Sequence, residues 1–142
     1  LLAQEDWTMR WTVMAAMVAV AGCAATPKEQ AAAAARAAVA QESLDQALAG
    51  LTPDKPVTCL PNFQNRQLKA YGQTLVYTVS RNLKYRTDTS GGCEGVARGD
   101  ILVTRSPQGR LCSGDIAQTV DQASRFPTGS CAMGDFVPYR GR

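Results

Sequence analysis

The sequence predicts a mainly β fold: a small disulfide-stapled antiparallel barrel or sandwich, preceded by a signal helix and an alanine-rich helical tether. Three observations carry that prediction. Segments after Cys59 alternate apolar and polar residues with the period of two that suits a half-buried strand. Proline, glycine and asparagine fall between those segments at turn positions. Four cysteines, Cys59, Cys93, Cys112 and Cys131, follow Cys23, an even number in a domain small enough to need covalent staples.

The first legible element starts at Met9-Arg10. Glu5 and Asp6 put negative charge where a signal segment wants positive, and Gln4-Glu5-Asp6 can be encoded by a purine-rich ribosome-binding sequence. Residues 1–8 are therefore expected to be a mis-called leader, with Met9 as the start. Trp11 to Gly22 is apolar apart from Thr12, and the uncharged stretch ends before Lys28. That is shorter than the roughly 20 residues a transmembrane helix needs. A basic start, a short apolar centre and small residues at the exit match a signal peptide over residues 9–22.

Val20-Ala21-Gly22-Cys23 closes that segment and resembles a bacterial lipobox. The resemblance implies a lipoprotein: the Cys23 thiol is diacylated, the preceding peptide removed and the new amine acylated, for example with palmitate. Several acyl chains are what stable anchoring requires. Ala24 stands where an aspartate would favour inner-membrane retention, so the expected address is the cell outer membrane, lipid-anchored and facing the periplasm.

Residues 23–58 read as lipid anchor and tether. Ala31 to Ala35, Ala37, Ala38 and Ala40 have the best helix propensity, so Lys28 to Ala49 is expected to be helical, stopped by Gly50 and Pro53. Such a helix would extend about 33 Å. Leu44, Leu48 and Leu51 form a short apolar stripe. Isolated helices this short are marginal, which favours a solvated spacer over a docked helix.

The β domain is assigned to residues 59–142. Leu75, Tyr77 and Val79 alternate with polar residues, and Leu83, Tyr85 and Thr87 alternate with Lys84 and Arg86. With Arg81-Asn82 between them the two segments read as a hairpin. Ile101 to Arg105, a Ser106-Pro107-Gln108-Gly109 turn and Arg110 to Cys112 read as a second hairpin, followed by strands at Ile116 to Asp121 and Phe136 to Tyr139.

Four cysteines allow three connectivities. The expected one is nested, Cys93 with Cys112 and Cys59 with Cys131, contributing about 3 and 4 kcal/mol on loop entropy. Zinc is disfavoured by the spacing, because the separations of 34, 19 and 19 residues contain no close ligand pair and the chain has no histidine. A redox thiol lacks both a C-x-x-C motif and an imidazole partner.

Gly91-Gly92-Cys93, Leu111-Cys112-Ser113-Gly114-Asp115 and Gly129-Ser130-Cys131-Ala132-Met133-Gly134-Asp135-Phe136, with the Cys59-Leu60-Pro61 opening, resemble a family of uncharacterised small exported four-cysteine proteins of proteobacteria. The resemblance covers roughly Cys59 to Tyr139. It implies a compact disulfide-bonded β domain and carries no activity with it.

The absence of histidine removes Ser-His-Asp and Cys-His catalysis and the commonest metal ligand. No cofactor or metal is expected. Asp88, Glu94, Asp100, Asp115, Asp121 and Asp135 leave open a two-carboxylate hydrolase acting on an envelope glycan. The favoured function is a non-catalytic binding or scaffolding module. From Cys59 onward eleven Lys and Arg face six Asp and Glu, a mildly basic balance. Arg81, Lys84, Arg86, Arg105 and Arg110 are the candidate anion-binding residues, and Arg98 is basic nearby in sequence. Lys84 and Arg86 share a strand face by parity, expected to point to solvent, and the second hairpin is expected to bring Arg105 and Arg110 beside them. The expected partners are the membrane, through the anchor, and an anionic envelope component or another envelope protein. Nucleic acid is not expected.

Overall fold

The computed structural model describes residues 25–62 and 66–142. The leader, signal-helix and Cys23 expectations lie outside those residues.

Helix α1 (Pro27–Leu48) begins with a reciprocal cap. The Thr26 hydroxyl accepts from the Glu29 N–H at 3.3 Å, and the Glu29 carboxylate accepts from the Thr26 N–H at 2.8 Å. Pro27 occupies the first helical position, where its missing N–H costs no bond. The helix ends where expected, at Gly50, whose φ of 76° is left-handed. A compact unit containing the sheets runs from Arg36 to Arg142, so it begins inside the helix. Leu44 and Leu48 are buried against Val76, with Tyr71 and Tyr139 beside them. The solvated spacer is thus corrected at this end. The outer sheet face offers its own apolar residues, and docking supplies what an isolated short helix lacks.

The strands are β1 (Thr52–Pro53), β2 (Gln67–Tyr71), β3 (Thr74–Ser80), β4 (Leu83–Asp88), β5 (Ser90–Gly91), β6 (Ile101–Thr104), β7 (Ile116–Val120), β8 (Pro127–Ala132) and β9 (Phe136–Arg140). A 3-10 turn at Glu94–Arg98 precedes β6. They form two antiparallel sheets, ordered β1-β9-β4-β3-β2 and β5-β8-β7-β6. The mainly β, disulfide-stapled architecture is as expected. The β3–β4 hairpin turns through Arg81-Asn82, with Ser80 opposite Leu83.

One two-stranded ribbon passes from sheet to sheet. Thr87 pairs with Phe136 in the first, and Ser90 pairs with Ala132 in the second. The ribbon bends at Gly134, which donates no side chain to the crowded corner. A Cβ there would lie 2.3 Å from the Asp88 carbonyl oxygen, and the Gly134 carbonyl accepts the Thr87 hydroxyl at 3.0 Å.

Both sheets contribute to one core. Leu75, Tyr77, Tyr85 and Phe136 come from the first, Ala117 and Cys131 from the second, and Leu60, Cys93, Leu111 and Met133 from the connections. The Tyr77 and Phe136 rings pack tilted at 60°, with centroids 6.2 Å apart.

The disulfides are Cys59–Cys112 and Cys93–Cys131. The nested pairing is therefore corrected to an interleaved one, for a reason that lies in strand pairing. Gly91 pairs with Cys131 and the Gly92 N–H donates to Ser130, which delivers Cys93 to Cys131. Cys59 faces Cys112 in an isolated antiparallel bridge, flanked by Leu60 N–H to Leu111 O at 2.8 Å and Ser113 N–H to Thr58 O at 2.7 Å.

The second expected hairpin is also corrected. The Ser106–Gly109 turn is present, with the Gly109 N–H donating to Ser106 O at 3.0 Å. The residues after it do not return along β6. Leu111 and Cys112 are buried beside Leu60 and Cys59 instead, and β6 pairs with β7, Ile101 opposite Val120 and Thr104 opposite Ala117.

Candidate functional site

The basic residues do not gather as expected. Arg81 lies in the β3–β4 turn, and Lys84 and Arg86 share the outer face of β4, as parity requires. That face is not open solvent. The Lys84 ammonium donates to the Ala47 carbonyl at the end of α1, one of the carbonyls a helix leaves without an internal partner. Arg86 pairs with Asp88 at 3.1 Å. Burial of the Arg86 guanidinium acts to lower its pKa, but the Tyr139 side-chain hydrogen bond and the Asp88 carboxylate outweigh it, so the pKa is raised. Arg105 and Arg110 belong to the β6–β7 connection in the other sheet. The hairpin that would have carried them to Lys84 is not formed. Arg105 instead lines a cleft of about 220 Å³ with Val103, Ile116 and Gln118.

The acidic residues have local tasks. Asp88 accepts from Arg86 and from the Thr74 hydroxyl at 2.6 Å. Glu94 accepts from Gln73 at 3.2 Å, and Asp100 from Thr128 at 2.5 Å. Asp115 accepts from the Cys112 N–H at 2.8 Å, holding the loop that carries the first disulfide. Asp121 accepts from the backbone and hydroxyl of Ser124 and from the Ala123 N–H, which hold its carboxyl below the usual range. Asp135 sits at the ribbon bend between β8 and β9. Among the described residues, no group of three or more Cys, Asp or Glu is placed to hold a metal ion.

A different constellation lies at the seam between the sheets. β2 is the last strand of one sheet and β6 of the other. A cleft of about 200 Å³ is lined by Arg66 just before β2, Leu68 on β2, Tyr77 on β3, Leu102 and Thr104 on β6, and Leu111. Leu111 is buried and Leu68 and Leu102 half-buried, whereas Arg66 and Thr104 are exposed. An apolar floor thus meets a polar rim, the arrangement typical of small-molecule sites, though below the usual volume of about 300 Å³ and above.

Tyr77 and Arg66 meet in its wall. Tyr77 is only 4% exposed, and its hydroxyl has no hydrogen-bond partner among the described residues. Burial pushes the phenol up to about 12, against the opposing Arg66 charge, so it stays a neutral donor at ordinary pH. The Arg66 guanidinium lies 5.7 Å from the centre of the Tyr77 ring, within cation–π range.

Sequence reasoning did not single out this set. Period two places Tyr77 inward with Leu75 and Val79, so a buried phenol needing an acceptor was legible. Arg66 and Thr104 were not, because they meet only where edges from two sheets approach. No protein-family model matches the chain, and neither a curated protein nor a solved structure gives a match.

Proposed function

We propose that the protein is an exported, lipid-anchored, non-catalytic binding module of the cell envelope. In this reading Cys23 is acylated after removal of residues 9–22, and the folded unit faces the periplasm from the outer membrane. The observation that carries it is the pair of disulfides with buried cysteines, Cys93 at 0% and Cys131 at 3% exposure, and Cys112 at 5%. Such bridges form and persist in oxidising compartments and are rare in the cytosol. Among the described residues no helix is long and apolar enough to cross a membrane.

Binding is assigned to the seam cleft rather than to Lys84 and Arg86, which already have partners in the fold. The hydrolase reading gains no support from the acids, because five of the six accept hydrogen bonds that shape turns, strands or the disulfide loop. Mass spectrometry of the membrane-extracted protein is the direct test of the anchor. The expected species begins at Cys23 and carries acyl chains, and Cys23→Ser leaves the protein unlipidated and released. An unmodified chain retaining residues 11–22 overturns the reading.

A further inference from the structure

We propose that the seam cleft binds a small monocarboxylate with a short apolar body. The inference rests on the binding-module reading and names the ligand class for its site. Arg66 defines the polar end. An arginine only donates hydrogen bonds, and its planar fork matches a carboxylate. Thr104 adds a hydroxyl at the rim. The ligand's polar end must therefore accept hydrogen bonds, and a negative charge favours it further.

The charge count limits the anion. Among the described residues Arg66 is the one cation lining the cleft, which suits a single negative charge rather than a doubly charged phosphate. Lys69 follows Leu68 on β2 and projects to the other face by alternation, over the Tyr71 ring. Leu68, Leu102 and Leu111 make the other end apolar. The cleft's roughly 200 Å³ equals the share of about seven waters, so it takes a carboxylate and a short chain rather than a whole lipid.

The experiment titrates the full-length oxidised protein with pentanoate, pentan-1-ol and pentylamine, followed by NMR shifts and thermal midpoint. Pentanoate is expected to saturate with millimolar or tighter affinity and to shift residues on β2, β3 and β6. Pentan-1-ol should bind at least tenfold more weakly, and pentylamine not at all. Arg66→Gln should weaken pentanoate at least tenfold while leaving pentan-1-ol unchanged. Tyr77→Phe should leave both the pentanoate affinity and the thermal midpoint of the free protein undiminished, because the hydroxyl is shut off from the cleft and has no partner among the described residues. Arg105→Gln, at the other cleft, should change nothing. Equal affinity for the alcohol and the acid, or full pentanoate affinity in Arg66→Gln, overturns the carboxylate assignment while leaving the cleft a binding site. Failure of all three probes to saturate overturns the cleft as a small-molecule site, and with it the part of the binding-module reading that rests there.

Discussion

A buried hydroxyl that donates to nothing forfeits its hydration without recompense, about 1–3 kcal/mol in folded proteins. Among the described residues the Tyr77 hydroxyl has no partner. Tyr77→Phe keeps the ring against Phe136 and removes the orphaned group, so its urea midpoint near neutral pH should equal or exceed that of the parent. Ionisation supplies a second measurement. Folding raises the phenol from 10.0 to about 12, so as pH climbs the unfolded chain releases its proton first. The native state's advantage is therefore complete below about pH 10 and is lost between about 10 and 12, a decline of about 2–3 kcal/mol. Subtracting the Tyr77→Phe curve isolates that decline from the other groups that titrate there. A flat difference curve across the window would show that the ring opens to water.

At the scale of elements, the docked end of α1 separates helix formation from helix packing. The Thr26–Glu29 cap and the alanine run make the helix locally, whereas Leu44 and Leu48 join it to Val76 on the sheet. Leu44→Ala should cost about 2–4 kcal/mol in urea unfolding, as large-to-small changes at buried sites do. Val39→Ala, at a residue 64% exposed, should cost less than about 0.5 kcal/mol. Equal effects would mean that the helix does not dock in solution. Lys84→Met should also destabilise, by about 1 kcal/mol, because it strips the Ala47 carbonyl of its charged donor. The legibility of these elements followed their physics. β4 alternates apolar and polar residues and β3 does so apart from Val76, so both could be read directly, whereas β7 (IAQTV) and β9 (FVPYR) are legible only as β-forming runs between turn signals. β2 (QLKAY) is too short to show more than one alternation, and β8 (PTGSCA) carries too few apolar residues for a period and depends on β7 and the distant β5. The face of Lys84 and Arg86 was likewise readable by parity, but the helix covering it was not, since two leucines do not reveal their partner.

At the scale of the whole molecule, two interleaved disulfides cross-link the folded unit. Non-reducing peptide mapping should recover Cys59 linked to Cys112 and Cys93 to Cys131, and no Cys93–Cys112 peptide. The bridges close loops with separations of 53 and 38 residues. On chain entropy each contributes about 4 kcal/mol, a large part of the 5–15 kcal/mol typical of native domains. Their loops overlap between Cys93 and Cys112, so once one bridge is closed the other finds the unfolded chain already restricted. The second bridge should therefore stabilise by less than the first. Removing either pair by Cys→Ala should leave a folded but weakened domain with a urea midpoint well below the parent's, and removing both should abolish cooperative unfolding near body temperature. The measurement is a urea titration of the oxidised protein, the two paired variants and the four-cysteine variant, with a reduced parent beside them. A reduced protein as stable as the oxidised one would mean that packing of Leu75, Phe136 and their neighbours suffices alone. The fold would then be indifferent to compartment, and the disulfides would cease to argue for export.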